Sequence, residues 1–318
     1  MIKVGVIRGG FSNEYELSLK TGASTLSCLR SSPLNEKYKA VDIFIDKNGI
    51  WHINGIPTDI SKLSHKVDVV FNALHGDYGE DGKVQQELEL WGIPYTGSGP
   101  LASSIGYNKL LTKEFFARLG VNTPKHILIS AYLEDMDGPK SEYAQKKSHE
   151  VLSLLPPPWV VKPLTGGSGM GIHLCKTYND LVFAFQTGVN EKISVLVEEL
   201  IEGKKASVTV LDNFRNKEIY TLPPIEIKIS EDTCPGNFTK VEKAELERLA
   251  SLIHNELDLS HYSQSDFIIH PKKGIYALEV NTLLKISQES KVLKSLHAVG
   301  SNISEFLDHI LKLAINKK

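Results

Sequence analysis

The chain has 318 residues, of which 41% are hydrophobic and 23% charged, and its formal net charge is −2 at pH 7. This length is enough for two or three domains, and the composition is that of an ordinary soluble protein. The small negative charge excludes a broad nucleic-acid-binding surface. No apolar run reaches the roughly 18 residues of a membrane span, so we expect neither a nucleic acid nor a membrane as a partner.

The three cysteines, Cys28, Cys175 and Cys234, lie far apart in the sequence. They form neither a Cys-x-x-Cys pair nor a zinc-binding spacing, so reduced thiols are expected. Residues 2–7 already have a strand pattern, and no basic region followed by an apolar region precedes them. We therefore expect no signal peptide and a cytoplasmic location.

The first third of the sequence alternates between strand and helix patterns. Strands are predicted at residues 2–7, 41–45, 67–74 and 93–95, and helices at residues 16–31 and 85–91. Nearly continuous apolar strands that alternate with helices are typical of doubly wound parallel sheets. We therefore predict an N-terminal α/β domain at residues 1–97.

The remainder of the chain mixes helix and strand patterns less regularly. Helices are predicted at residues 108–119, 141–154, 239–257 and 303–315, and strands at 159–162, 171–175, 195–201, 206–211 and 218–229. This order predicts an α/β and α+β fold. A central domain at residues 98–198 and a C-terminal domain at 199–318 complete the expected organisation.

Two short strands near the C-terminus carry acidic side chains. Residues 266–270 and 275–281 flank the turn sequence Pro-Lys-Lys-Gly, which predicts a hairpin. If His270 faces Ile275, Asp266 lies opposite Glu279, and Asn281 shares a face with Glu279. Two opposed carboxylates repel each other unless a cation lies between them, and with an amide oxygen they suit Mg²⁺. An ordinary solvated acidic hairpin is the alternative that these residues leave open.

A glycine-rich loop, TGGSGMG at residues 165–171, lies between two predicted strands. Glycines allow backbone N–H groups to approach an anion, so the loop could cradle a phosphate. It is neither a Walker A loop nor a dinucleotide fingerprint. Lys162 precedes the loop and could reach the same phosphate. A plain flexible loop, with the Lys162 stem packed along its strand, explains these residues as well.

Polar segments also follow three other predicted strands. The sequences are GGFSNEYELS at residues 9–18, LHGDYGEDG at 74–82 and VEELIEG at 197–203. The carboxyl ends of parallel strands commonly form small-molecule sites, although helix capping by Ser12 or Asn13 explains the first segment as well. The third segment could pair with an adenine edge or be a charged turn. His75 has no partner spaced for a metal site, and no Gly-x-Ser-x-Gly elbow supports Ser-His-Asp catalysis.

Taken together and in this order, the segments resemble the D-alanine–D-alanine ligase family of the ATP-grasp superfamily. The most specific match is VFNALHGDYGEDG at residues 70–82, continued by LELWGIPYTGSG at 88–99. The segment at residues 9–18 is the second strong match. The resemblance runs from the first strand to Asn281 and implies an ATP-grasp fold with three domains and an N-terminal doubly wound parallel sheet.

The resemblance also implies an activity. Members of this family use Mg-ATP to activate the carboxylate of one D-alanine as an acyl phosphate. The amine of a second D-alanine then attacks it, which gives a dipeptide for peptidoglycan synthesis. A homodimer is implied as well.

Roles for individual residues follow from the same resemblance. Glu14, supported by Ser168, is expected to hold the first substrate's ammonium, His75 to lie near its carboxylate, and Ser290 to receive the second substrate's carboxylate. Lys109 and Lys162 are expected to contact the ATP phosphates, and the loop with Ser168, Gly169 and Gly171 is expected to cover them. Glu198 and the Leu200 backbone are expected to bind adenine. The expected ligands of Mg²⁺ or Mn²⁺ are Asp266, Glu279 and Asn281.

Four features depart from the family pattern. The family's Thr-x-Pro-Gly-Met-Thr, whose glycine N–H holds the oxyanion, is TLLKIS at residues 282–287, with Leu284 and Lys285 at the Pro-Gly positions. An expected arginine is Gln264, and an acid expected to bind the ribose is Lys205. The loop at residues 227–233 is too short to form the family's active-site lid. Loss of one oxyanion donor alone can cost about 10²–10³ in rate.

These departures leave two alternatives open. The first is a ligase of the same chemistry with a different amine acceptor, in which Lys285 or Lys291 replaces the lost positive charge. The second is a non-catalytic paralogue that binds a nucleotide or an amino acid.

Overall fold

The computed structural model describes residues 1–167, 169–287 and 289–316. The chain divides into two compact units. Unit 1 contains Met1–Tyr107, Lys204–Phe267 and the chain from Glu279 onward, and unit 2 contains Asn108–Gly203 and Ile268–Leu278. The three-domain division at residues 1–97, 98–198 and 199–318 stays a prediction.

The N-terminal sheet of unit 1 is parallel at its centre. Its strands are β1 (Ile2–Gly9), β2 (Tyr38–Ile45), β3 (Trp51–Ile53), β4 (Ile56–Pro57) and β5 (Val69–Asn72), in the order β4-β3-β2-β1-β5. Strand β1 is parallel to both β2 and β5, as the alternating pattern predicted. The edge hairpin β3–β4 is antiparallel and makes the sheet mixed. The strand predicted at residues 93–95 is reduced to an isolated bridge between Tyr95 and Val70.

Three helices accompany this sheet: α1 (Tyr15–Leu29), α2 (Lys83–Leu90) and α3 (Pro100–Tyr107). The first two were predicted to within two residues at each end. Helix α3 was not predicted, because its sequence PLASSIGY contains a glycine and two serines, which have modest helix propensity.

The sheet of unit 2 is antiparallel. Helix α4 (Lys109–Arg118) precedes it, and its strands β6 (His126–Ile129), β7 (Trp159–Pro163), β8 (His173–Cys175) and β9 (Val195–Glu199) have the order β6-β9-β7-β8. Helices α5 (Lys140–Leu154) and α6 (Tyr178–Glu191) contribute to the core behind it. Trp159 and Phe185 are among the large side chains buried there.

The remaining strands form a second five-stranded sheet. They are β10 (Lys204–Asp212), β11 (Ile219–Thr221), β12 (Ile225–Ile227), β13 (Tyr262–His270) and β14 (Gly274–Asn281), in the order β11-β10-β13-β14 with β12 also paired to β10. The acidic hairpin is therefore formed as predicted, by β13 and β14. The single strand predicted at residues 218–229 is two short strands. Helices α7 (Lys240–Glu256), α8 (Lys291–Ala298) and α9 (Ile303–Asn316) complete the chain.

The largest core of unit 1 joins segments that are distant in sequence. Val6 of β1 and Phe71 of β5 belong to the same cluster as Leu211 of β10 and Tyr262 of β13. Phe306 of α9 also lies in this cluster. The N-terminal and C-terminal segments of unit 1 thus share one core, which stabilises the loops that follow β1 and β5.

Within the described residues, no helix has both the length and the apolar character that crossing a bilayer requires.

Candidate active site

Two loops of unit 1 meet at the carboxyl ends of β1 and β5. The Ser12 hydroxyl donates a 2.6 Å hydrogen bond to the carbonyl of His75, and the Glu14 N–H donates to the Ser12 hydroxyl oxygen at 3.1 Å. Glu14 occupies the N-cap position of α1 without a side-chain capping bond, and its residue surface is only 6% exposed. Ser12 therefore joins the two loops instead of capping the helix, and the structure brings Glu14 and His75 together.

The His75 side chain is 2% exposed and is held on both ring nitrogens. Its Nε2 lies 3.0 Å from the Thr21 hydroxyl, and its Nδ1 lies 3.4 Å from a carboxylate oxygen of Glu80. The Gly76 N–H donates to the other Glu80 oxygen at 3.2 Å. This arrangement fixes the ring orientation, so His75 is suited to a fixed electrostatic role.

Negative charge surrounds Tyr107 at the end of α3. The Tyr107 hydroxyl donates to Asp77 at 2.9 Å. Burial raises the pKa of Tyr107, and the hydrogen bond to Asp77 and the charges of Asp77, Glu80 and Glu14 raise it further. Three carboxylates are thus close enough to act on one phenol. A cluster of this charge favours a cationic group such as a substrate ammonium.

The acidic hairpin presents the predicted metal ligands. Asp266 lies on β13, while Glu279 and Asn281 lie on β14, and all three are half-buried. The Ser207 hydroxyl donates to Asp266 at 2.5 Å, and the Lys291 ammonium lies 3.3 Å from the same carboxylate. Burial raises the pKa of the Asp266 carboxyl and the Glu279 carboxylate adds to the rise, whereas Lys291 and Ser207 oppose it.

This donor set fits a hard divalent cation, because it offers carboxylate and amide oxygens. A bound cation would also relieve the repulsion between Asp266 and Glu279. Among the described residues, no three or more His, Cys, Asp or Glu side chains are grouped so that they could hold a metal. A metal here would therefore depend on the amide oxygen of Asn281 and on oxygens supplied by a ligand.

Ser290 stands at the N-cap of α8 but does not use its side chain for capping. The residue is 7% exposed, and its hydroxyl has no hydrogen-bond partner in the part of the chain that the structure describes. A buried hydroxyl without a partner is costly, so a ligand group that bonds to it would gain affinity.

Unit 2 contains a buried trio of charges. One oxygen of Glu198 lies 2.9 Å from the Lys113 ammonium and 2.7 Å from that of Lys162. Lys113 also donates to the Thr123 hydroxyl at 2.9 Å. Lys162 on β7 and Glu198 on β9 are diagonal neighbours across the antiparallel pair, since Val160 pairs directly with Glu198. Lys113 was absent from the predicted site residues, although it stands one helical turn after Lys109.

Lys109 connects α4 to the glycine-rich loop. Its ammonium donates to the carbonyl of Gly166 at 2.6 Å, and its N–H donates to the carbonyl of Leu164 at 3.0 Å. Asn108 caps the helix by accepting from the Leu110 and Leu111 N–H groups. Lys109 therefore lies beside the loop that was predicted to bind phosphate.

The loop itself needs glycine at its end. Gly171 has a φ of +69°, and a Cβ at this position would lie 2.8 Å from the Pro163 ring. Gly169 is also in the left-handed region, with a φ of +73° and open space around it. Ser168, which was predicted to support the first substrate and to cover phosphate, lies outside the described residues. At Leu200, whose backbone was predicted to contact adenine, the N–H donates to the Pro158 carbonyl at 3.1 Å.

The segment at residues 227–233, which was expected to be too short for the family's lid, lies in a closed turn. Glu226 and Thr233 exchange both backbone hydrogen bonds at 3.0 Å. The Lys294 ammonium of α8 lies 3.2 Å from Glu231 and donates to the Asp232 carbonyl at 3.2 Å. Residues 227–232 are thus tied to α8.

Of the other departures from the family pattern, Lys205 is exposed on β10 and Leu284 is buried in the core of unit 1.

Curated relatives match this chain over nearly its whole length, and two family models match most of it. The model described as "D-ala D-ala ligase C-terminus" matches residues 115–312, and that described as "D-ala D-ala ligase N-terminus" matches residues 55–98. The D-alanine–D-alanine ligase of Carboxydothermus hydrogenoformans is 32% identical, and the alignment covers 99% of this chain and 98% of the relative. That of Geotalea uraniireducens is 31% identical over 99% of this chain and 96% of the relative.

Solved structures agree with this assignment. The D-alanine–D-alanine ligase from Bacillus anthracis complexed with ATP is 27% identical, with a TM-score of 0.78 over 99% of this chain and 97% of that one. The VanG D-Ala:D-Ser ligase from Enterococcus faecalis is 25% identical, with a TM-score of 0.83 over 98% of this chain and 99% of that one. The predicted ATP-grasp fold is confirmed. The chain belongs to the D-alanine–D-alanine ligase family, a family of ATP-dependent enzymes that form a carbon–nitrogen bond.

Proposed function

We propose that this enzyme joins two D-alanines and supplies the dipeptide for peptidoglycan synthesis. The observation that carries the proposal is the acidic cluster around Glu14, where a buried carboxylate lies beside further acids and next to the fixed His75 loop. Such a cluster suits an amino acid, whose ammonium needs a carboxylate and whose own carboxylate needs a polar neighbour.

The proposed reaction has two steps. The carboxylate oxygen of the first D-alanine attacks the γ-phosphorus of ATP and releases ADP, which gives an acyl phosphate. The amine of the second D-alanine then attacks the acyl carbon, loses a proton and displaces phosphate, so that an amide remains. Glu14 holds the first ammonium, and the fixed ring of His75 lies near the carboxylate that reacts.

The nucleotide side of the proposal rests on unit 2. Lys109 and Lys162 would contact the phosphates under the loop that contains Gly169 and Gly171, and Glu198 with the Leu200 carbonyl would contact adenine. Magnesium held by Asp266, Glu279 and Asn281 would neutralise phosphate charge when bound. The relative from Bacillus anthracis that was solved with ATP supports a nucleotide site in this family.

The acceptor is the part of the reaction on which the departures bear. Ser290 offers an unpaired buried hydroxyl to the acceptor's carboxylate. The turn at residues 227–232 is tied to α8 by the bond from Lys294 to the Asp232 carbonyl, and its length is the basis for the expectation that it does not cover the site. An acceptor other than D-alanine is therefore the second candidate. The similarity to a D-Ala:D-Ser ligase gives it further support.

The test is ADP release from Mg-ATP with and without D-alanine, with the product identified by mass spectrometry. We expect D-alanine to stimulate ADP release and to give the mass of D-Ala-D-Ala. If D-alanine stimulates ADP release only when D-serine or another amine is added, the second candidate replaces the first. If no amino acid in such a panel stimulates ADP release, the proposed function is wrong.

The Glu14→Gln variant tests, within the same assay, whether the Glu14 carboxylate holds the first substrate's ammonium. Loss of a charge-assisted hydrogen bond of about 1.5–3 kcal/mol should lower kcat/KM for D-alanine about 10- to 100-fold. Glu16→Gln is the matched control, because Glu16 is an exposed acid in the first turn of the same helix. Equal activity of the two variants would contradict the role of Glu14.

A homodimer is part of the same proposal. Sedimentation velocity of the full-length protein measures the oligomeric state.

A further inference from the structure

An internal cation already contacts the proposed metal site. Lys291 is the first residue of α8, and its Nζ lies 3.3 Å from Oδ2 and 3.4 Å from Oδ1 of Asp266. The ammonium thus bridges both oxygens of the carboxylate. The Ser207 hydroxyl occupies Oδ1 as well, at 2.5 Å.

A divalent cation and this ammonium would compete for the same oxygens. Mg²⁺ requires oxygen ligands at about 2.0–2.1 Å, so a metal bound to Asp266 would lie close to a cation that contacts the same carboxylate. Like charges at such a separation repel strongly in a half-buried site. The Lys291 side chain is 27% exposed and that of Asp266 is 17% exposed, so the lysine has a route to solvent when it leaves.

We propose that Lys291 is a tethered counter-ion that occupies Asp266 in the metal-free enzyme and is displaced when a divalent metal binds. The inference rests on the proposed function, because it takes Asp266 as a metal ligand. It gives Lys291 a role that a stabilising ion pair would not have. Lys291 sets the metal affinity of the nucleotide-free enzyme and keeps the repulsion between Asp266 and Glu279 low in the absence of metal.

The test is a titration of the full-length, nucleotide-free enzyme with Mn²⁺, in which free Mn²⁺ is measured by electron paramagnetic resonance. A partly exposed ion pair contributes about 0.2–1 kcal/mol, so Lys291→Met should bind Mn²⁺ about 1.5- to 5-fold more tightly than the unmodified enzyme. Lys291→Arg should restore the weaker binding, because it keeps the charge. Asp266→Asn should lose most of the binding.

Lys294→Met is the matched control. Lys294 lies on the same helix and loses the same charge, but its ammonium contacts Glu231 and not Asp266. Tighter Mn²⁺ binding in Lys291→Met alone supports a local competition between the Lys291 ammonium and the metal for Asp266. Equal tightening in both variants would show a general charge effect and would overturn the proposal.

A second measurement uses the unmodified enzyme and does not depend on the folding of a variant. The rate of reductive methylation of Lys291, followed by peptide mass spectrometry, should rise when Mn²⁺ saturates the protein, whereas the rate at Lys294 should not change. If the unmodified enzyme binds Mn²⁺ but neither this rate nor the affinity of Lys291→Met changes, the inference fails and the metal site stands. If neither the unmodified enzyme nor Lys291→Met binds Mn²⁺, the inference and the proposed metal site both fail.

Discussion

At the scale of single residues, Glu198 joins two buried ammonium groups. Lys113 is fully buried, and the side chains of Glu198 and Lys162 are nearly so. The desolvation of three charges is offset only while the pairing is complete, because removal of one partner leaves an uncompensated charge in the interior. The carboxylate predicted to contact adenine is therefore also a structural centre of unit 2.

The Glu198→Gln variant tests this structural role. It leaves Lys113 and Lys162 buried without their carboxylate, so we expect the free energy of unfolding to fall by about 3–5 kcal/mol, measured by urea denaturation. Glu202→Gln, a change at an exposed acid four residues later, should stay within about 0.5 kcal/mol of the unmodified chain. A Glu198→Gln variant as stable as Glu202→Gln would show that the trio contributes nothing to stability.

The trio also shows what the sequence could and could not predict for a single residue. Lys162 and Glu198 were predicted as site residues through the family resemblance, because their own sequence context fits an ordinary strand lysine and a charged turn as well. Lys113 stands in the middle of a helix, where a lysine usually lies on a solvated face. The family resemblance includes a lysine at position 113, but only the tertiary structure shows that its ammonium contacts Glu198.

At the scale of elements, a network around Asp212 links two strands and two helices of unit 1. The His254 Nε2 on α7 lies 2.7 Å from the Asp212 carboxylate at the end of β10, and its Nδ1 lies 2.8 Å from the Ser263 hydroxyl on β13. The His309 Nε2 on α9 lies 2.6 Å from the Asp212 carbonyl. Ser263 and His254 are buried, so this Ser-His-Asp arrangement is shielded from substrates and its role is structural.

This network makes stability depend on pH. Burial acts to raise the pKa of Asp212, but the hydrogen bond and charge of His254 and the N–H of His261 outweigh it and lower the pKa below its ordinary value. The folded state then binds fewer protons than the unfolded chain near the ordinary aspartate pKa of about 3.9. The stabilisation is therefore present above about pH 4 and is lost as the pH falls through the folded-state pKa.

We expect Asp212→Asn to lower the free energy of unfolding at pH 7 and to reduce its dependence on pH between about pH 5 and 3. Urea denaturation at a series of pH values measures both effects. Asp135→Asn, at an exposed aspartate of unit 2, should keep the slope of the unmodified chain. An unchanged slope in Asp212→Asn would contradict the stabilising role of the ionised carboxylate.

Elements with strong periodicity could be predicted, and elements with mixed signals could not. Helices α7 and α9 have long amphipathic patterns and were predicted to within about two residues. Helix α6 was missed because valine, phenylalanines and glycine lower its helix propensity, although Thr177 and Asp180 form a capping box at its start. The short helix α8 was missed as well, so the sequence did not place Lys291 at its first turn.

At the scale of the whole molecule, the predicted residues fall into two sets. Unit 1 contains Glu14, His75 and the acidic hairpin residues, whereas unit 2 contains Lys162 and Glu198 with the glycine-rich loop. The resemblance predicted the ATP-grasp fold, because it rests on segments spread along the chain. The division into these two sets comes from the structure. Pairings such as Ser207 with Asp266, which are 59 residues apart, depend on strand register and could not be predicted from a single sequence.

Nucleotide binding should stabilise the molecule by mass action. At 100 times its dissociation constant, a ligand that binds only the folded state contributes about 2.7 kcal/mol. For a chain of 318 residues, that corresponds to a rise in melting temperature of about 4 °C. We therefore expect the non-hydrolysable analogue AMP-PNP with Mg²⁺ to raise the melting temperature, as measured by differential scanning calorimetry.

The same shift should depend on Lys162, because its ammonium is proposed to contact the phosphates. In Lys162→Met the melting temperature without ligand also falls, since Glu198 loses one partner, so the quantity to compare is the shift that AMP-PNP causes within each variant. We expect this shift to shrink by more than half in Lys162→Met and to persist in Lys176→Met, where an exposed lysine of the same unit is removed. A full shift in Lys162→Met would exclude a phosphate contact by this residue. If AMP-PNP does not raise the melting temperature of the unmodified enzyme, this would argue against the nucleotide site itself, because a ligand that binds the folded state must stabilise it.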